Sequence, residues 1–144
     1  MSHQLRLMPS TWDADAAFAY MSDFSNAQIW DPGVVRARRI DDGPIAVGSA
    51  FELEVKFGPR TSVMRYEVTR LVSRSVTFRA VLGAIRSEDT ITVEETTDGC
   101  TVSYDAGIEI SGAGAILNPA LALVFRRVVD RAATSLGAIL MESE

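Results

Sequence analysis

The stretch "LALVFRRVVDRAATSLGAIL", residues 121–140, decides how the rest of the chain is read. Leu121, Phe125, Val128, Val129, Ala132, Leu136, Ile139 and Leu140 recur at the spacing that lines one face of a helix. Arg126, Arg127, Asp130, Arg131 and Thr134 gather on the opposite side. Asn118 and Pro119 suit a cap followed by the first helical position. At 1.5 Å per residue the helix is about 33 Å long. Its charges speak against a bilayer span, and no run reaches the ~18 apolar residues that one requires. So long an apolar stripe needs a broad surface to cover.

That surface is written upstream. From Gly33 to Ile110 the hydrophobic period is two. "VVRARRI" is followed by the turn "DDGP", then by "AFELEVKF", with Phe51, Leu53, Val55 and Phe57 on one face and Glu52, Glu54 and Lys56 on the other. Gly58 and Pro59 turn the chain. "TSVMRYEVTRLV" places Met64, Tyr66 and Val68 together, and "SVTFRAV" does the same for Val76, Phe78 and Ala80. "IRSEDTITVEE" and "CTVSYDAGIEI" flank the hairpin turn "TTDG". Six successive alternating strands predict an antiparallel meander with one buried face. Gly48, Gly83 and Gly107, in or beside strands, predict bulges or bends that curve the sheet away from a straight helix and leave a gap.

Before the meander, "HQLRLM" reads as a short first strand ended by Pro9. "STWDADAAFAYMSDF" reads as a helix with Ser10 or Thr11 as N-cap, Asp13 and Asp15 in the first turn, and an apolar side of Trp12, Ala16, Phe18 or Ala19, and Met21. "FSNAQIW" is a second short helix, stopped by "DPG" at residues 31–33.

The chain has 144 residues, 47 % hydrophobic and 23 % charged, with a net charge of −5. That fits one globular domain over 1–144, burying roughly 70 % of its unfolded surface. Net acidity disfavours nucleic acid and anionic membranes as partners, and stable membrane insertion is not expected. Of 14 basic residues only Lys56 is a lysine, which reads as genome composition before phosphate recognition. Cys100 is the sole cysteine, so no intramolecular disulfide forms, and its alternating run makes it a small buried residue. The N-terminus lacks a signal-peptide pattern, so a cytoplasmic location is expected.

The order of strand, two short helices, six strands and long C-terminal helix carries a resemblance. With "DFSNAQIWDPGV", "VGSAFELEV", "YEVTRL" and "DGCTVSYDAGIEISG" in their places, the whole chain resembles the polyketide cyclase/dehydrase-type members of the START-like (SRPBCC) superfamily. The resemblance implies an α+β helix-grip fold: a curved seven-stranded antiparallel sheet wrapped around the C-terminal helix, with two short helices between strands 1 and 2. It also implies a ligand cavity between sheet and helix. Superfamily members include lipid carriers, plant hormone and allergen-type ligand binders and aromatase/cyclases.

In such a fold the pocket would be lined by Phe51, Leu53, Met64, Tyr66, Phe78, Tyr104, Phe125, Val129 and Leu136, with Trp30 near the mouth and Ala132 and Ala133 keeping it open. Each of these also reads as ordinary core. Asp89 and Ser87 share the parity of Ile91 and Val93 and point inward if the register holds. Asp89 then has two readings: a solvated rim residue, or an inward polar anchor or proton acceptor with Tyr66 and Tyr104 as phenolic partners. His3 lies near the terminus, exposed, and completes no Ser–His–Asp set. No metal-ligand spacing and no phosphate loop is present, so neither metal nor cofactor is expected. Arg36, Arg38 and Arg39 form a solvated strand face.

Three functions follow. The first is binding, or binding and transport, of a small hydrophobic or amphipathic molecule such as a lipid, isoprenoid or polyketide. The second is a cofactor-independent cyclase/dehydrase of aromatase type, with Asp89, Tyr66 and Tyr104 as candidate catalytic residues. The third is a protein-interaction module with a vestigial cavity.

Overall fold

A computed structural model describes residues 1–57 and 59–142, Phe57 by its backbone alone. The inward face expected for Phe57 and the turn at Gly58 therefore lie outside the described residues. The strands are β1 (Ser2–Ser10), β2 (Val34–Arg39), β3 (Ala50–Phe57), β4 (Arg60–Val72), β5 (Ser75–Leu82), β6 (Ile85–Thr96) and β7 (Gly99–Ile110). They form one curved antiparallel sheet in the order β1-β7-β6-β5-β4-β3-β2. Strands β2 to β7 are the expected meander, and β1 closes onto β7 as an outer edge. The alternation is kept: Met64, Tyr66 and Val68 of β4 are buried, as are Ser87, Asp89, Ile91 and Val93 of β6. On β2, the other edge, Arg38 pairs with Glu52 at 3.2 Å and Arg39 with Asp41 at 3.1 Å. Charged edges of this kind discourage pairing with another chain.

Several local expectations are corrected. Strand β1 runs through Pro9 to Ser10, because an edge strand tolerates a residue with no N–H to donate. Register shifts fall at Val34/Arg36 and Val68/Arg70, with none at the three glycines. Gly48 and Gly83 instead supply turns with φ of +96° and +59°, and Gly107 stays in regular register with His3 and Glu88.

Helix α1 (Ala14–Ser22) is capped by Asp13, whose carboxylate accepts from the Asp15 and Ala16 amides. Ser10, expected to cap α1, serves the other end of the molecule. Its hydroxyl donates to the Leu140 carbonyl at 2.7 Å and accepts from the Trp12 amide at 3.0 Å. The face that α1 buries is Ala14, Ala17 and Met21. A 3₁₀ turn (Phe24–Asn26) and α2 (Ala27–Trp30) follow.

After a second 3₁₀ turn (Gly112–Leu117), α3 spans Asn118–Leu140. Asn118 is the first helical residue and caps nothing in the helix. Its side-chain amide instead clasps the end of β7, with Oδ1 accepting from Ile110 N at 2.8 Å and Nδ2 donating to Ile110 O at 3.0 Å. The sequence expectation had α3 covering a broad sheet surface, with a length sufficient to cross it. In the fold it runs closest to β1 and β7, tied to β1 by an Arg6–Asp130 ion pair at 2.8 Å. Its buried residues, Val129, Ala132, Leu136 and Leu140, all belong to the C-terminal half. The first half carries exposed apolar side chains, Leu123 at 69 % and, just ahead of it, Ile116 at 83 %. Gly112–Leu140 is also long and apolar enough, by length and composition, to cross a membrane (mean hydropathy 1.3), contrary to the sequence expectation. The core helix of a globular fold meets the same criterion.

What α3 leaves uncovered is filled by aromatics. Phe24 stacks on Phe78 (centroids 4.1 Å apart, planes 9° from parallel) and meets Tyr66 edge-on at 5.1 Å. Phe51 meets Phe78 edge-on at 5.9 Å. Burying one such ring stabilises the fold by about 1.5–3 kcal/mol, so this cluster closes the grip over β3–β5.

Candidate functional site

A cavity survives beside that cluster, under the first half of α3. Its volume is about 70 Å³. Leu53, Tyr66, Asp89, Tyr104, Phe125 and Val129, all expected at the site, line it. Trp30, Phe51, Met64, Phe78 and Leu136 stand in the packed core away from it. Trp30 is not near a mouth: it is 1 % exposed and lies edge-on to Tyr104 at 5.5 Å. The exposed side chains in the wall, Val124 and Lys56, mark the opening.

The buried end is polar. Tyr66 Oη lies 2.9 Å from Ser87 Oγ, so these hydroxyls satisfy one another. Asp89 is 5 % exposed and therefore inward, not at a rim. No hydrogen-bond donor among the described residues reaches its carboxyl. Burial pushes its pKa well above the ordinary carboxylate range, and the negative charges of Asp31, Asp105 and Glu88 add to the shift. The Tyr104 hydroxyl is also held neutral, by burial first and then by Asp89 and Asp31. Tyr66 is shifted upward for the same leading reason, with the Ser87 hydrogen bond opposing.

Among the wall residues that sequence reasoning did not place at the site, Phe24 and Asp31 matter most. Phe24 lines the cavity from the turn after α1, where helical periodicity gives no face to a three-residue segment. Asp31 was read only as a helix stop. It lies in the wall, accepts from the Gly33 amide at 2.8 Å, and is pushed up to about 6 by burial, with that amide bond pulling the other way. An Asp followed two residues later by Gly is an Asx-turn signal, so the bond was legible; the cavity beside it was not.

The remaining candidates stand apart. His3 Nδ1 contacts Asp105 Oδ1 at 3.0 Å on the opposite face of β7 from Tyr104. Cys100 is buried in the core. Among the described residues no group of three or more His, Cys, Asp or Glu is placed to hold a metal ion. The site as built offers an apolar channel that ends in a carboxyl group, a second carboxyl that titrates near neutrality, and phenolic donors.

Solved structures share this architecture. A START superfamily protein from Mycobacterium smegmatis superposes with a TM-score of 0.74 at 14 % identity, covering 96 % of this chain and 94 % of that one. The ginseng (Panax ginseng) major latex-like protein 151 gives 0.71 at 11 %, with 97 % of each chain covered. The Zhui aromatase/cyclase from Streptomyces sp. R1128 gives 0.68 at 14 %, over 96 % of this chain and 90 % of that one. At these identities the likeness is one of fold. No curated protein matches the sequence. The family described as polyketide cyclase/dehydrase and lipid transport matches residues 10–140. With nearly its whole length matched and the helix-grip architecture in place, the chain belongs to that family, within the START-like (SRPBCC) superfamily.

Proposed function

We propose that the protein binds a small amphipathic molecule in the cavity between the sheet and α3. The observation that carries this reading is the Asp89 carboxyl: deeply buried, turned to the cavity, and given no hydrogen-bond donor by the described residues. A buried polar group without a partner costs about 1–3 kcal/mol, which a ligand group can recover. Apolar walls then add roughly 25 cal/mol for each Å² of ligand surface covered.

Volume limits the ligand. At roughly 10–15 Å³ per water-sized group, 70 Å³ holds about five such groups. Pockets for drug-sized molecules measure about 300–1,000 Å³. The closed form therefore accepts a fragment or the head of a longer molecule. A sterol or folded polyketide requires the first half of α3 to lift; that half has no fully buried residue and is tied to β7 through the Asn118–Ile110 clasp. Native mass spectrometry of protein purified from its own host tests the reading. An adduct of discrete mass, lost in Ala132→Leu, supports it. Bare protein that also fails to take up Nile red in solution refutes it.

A second reading is favoured by the two coupled carboxyls. Burial raises both, Asp31 to about 6 and Asp89 well above the ordinary carboxylate range, which suits such a pair to act as base and acid within one cavity. A cyclase/dehydrase would use them to take a proton from carbon next to a ketone and return one to its oxygen. Loss of turnover in Asp89→Asn or Tyr66→Phe, with binding retained, would support this reading; unchanged turnover in both removes it.

A further inference from the structure

We infer that the ligand binds polar end first and that this end is a hydrogen-bond donor, an ammonium in preference to a carboxylate. The inference rests on the binding reading above and specifies its ligand class. Two observations carry it independently. The cavity's polarity is graded by depth: Asp89, Ser87 and the Tyr66 and Tyr104 phenols are buried, whereas the exposed opening has Val124 in its wall, with exposed Leu123 beside it. An amphipathic molecule matching that gradient places its head inside and its chain along the apolar first half of α3.

The second observation is the sign of the charge inside. Among the described residues, Asp89 and Asp31 are the only ionisable groups other than the two phenols in the inner wall, and the single basic side chain, Lys56, is exposed at the opening. No donor among those residues reaches the Asp89 carboxyl, and Asp31 holds one backbone amide. A carboxylate head would oppose the ionisation of both carboxyls and would meet no cation in the inner wall to pair it. Like charges in such a site cannot both ionise, and the ligand would have to bind as its neutral acid. An ammonium supplies three donors and a compensating charge. It would also lie among the aromatic side chains of Phe24, Tyr66, Tyr104 and Phe125, which suit a cation better than an anion.

Octylamine, 1-octanol and octanoate share one chain and differ only at the head. Displacement of Nile red from the full-length protein at pH 7 ranks them. The expected order is octylamine tightest, octanoate at least tenfold weaker, and 1-octanol between. Asp89→Asn, which keeps the shape and removes the charge, should compress the amine-to-octanoate ratio at least fivefold; Asp31→Asn combined with it should remove the preference. Octanoate binding as well as the amine, or a ratio untouched in both variants, overturns the inference while leaving a binding cavity in place. Failure of Nile red and of all three ligands to bind removes the cavity reading itself.

Discussion

The phenol of Tyr66 and the hydroxyl of Ser87 meet at 2.9 Å across β4 and β6, and Asp89, two residues further along the same face of β6, has no such partner among the described residues. This asymmetry separates structure from function in the polar end of the cavity. One pair is closed upon itself. The neighbouring carboxyl is open.

The closed pair should behave as a unit. Tyr66→Phe and Ser87→Ala each leave one buried hydroxyl unsatisfied and should cost about 1–2 kcal/mol in urea unfolding. The double variant should cost less than the sum, by about 1 kcal/mol, because neither orphan is left behind. Strict additivity would mean that the two hydroxyls do not depend on each other.

Stability should fall as pH rises above about 4. Asp31 and Asp89 have folded pKa values raised above the ordinary value of 3.8. Their contribution is thus fully present below that value and is lost as the unfolded chain ionises first. Asp31's share is exhausted near pH 6, and Asp89, its shift reinforced by the charges of Asp31, Asp105 and Glu88, extends the decline further. Urea midpoints of the Asp31→Asn, Asp89→Asn double variant should stay flatter from pH 4 to 7 than those of the parent. Parallel profiles would contradict the burial of these carboxyls.

Ser10 should matter for the far end of the chain. Ser10→Ala removes a bond to the Leu140 carbonyl and one from the Trp12 amide, a loss of about 1–2 kcal/mol. The exposed neighbour Thr11 should tolerate alanine within about 0.5 kcal/mol. Amide exchange in the last turn of α3 should quicken in the first variant only.

Tyr20 packs edge-on to Trp12 at 5.3 Å with its hydroxyl buried and without a hydrogen-bond partner among the described residues. Burial also raises its pKa. Tyr20→Phe keeps the ring and removes the orphan, so thermal unfolding should show equal or higher stability, by up to about 1 kcal/mol. A clear loss would show that the hydroxyl has a partner after all.

Period was what the sequence determined. Alternation along β4, β6 and β7 and the stripe along α3 are properties of consecutive residues, so Asp89 shared the parity of Ile91 and Val93, while its choice between rim and interior waited for the fold. The order of elements followed from the same local signals, and the helix-grip architecture from their order. What depends on residues far apart in the chain was decided only in three dimensions. Phe24 occupies the space over Phe51 and Phe78 because a turn after α1 projects it there, and that ring shrinks the cavity. Asp31 becomes an interior group because α2 ends beside α3, and Ser10 caps α3 because β1 ends beside its last turn. No periodicity records such meetings: they arise when side chains of given volume compete for one interior, and the outcome depends on every residue that packs there.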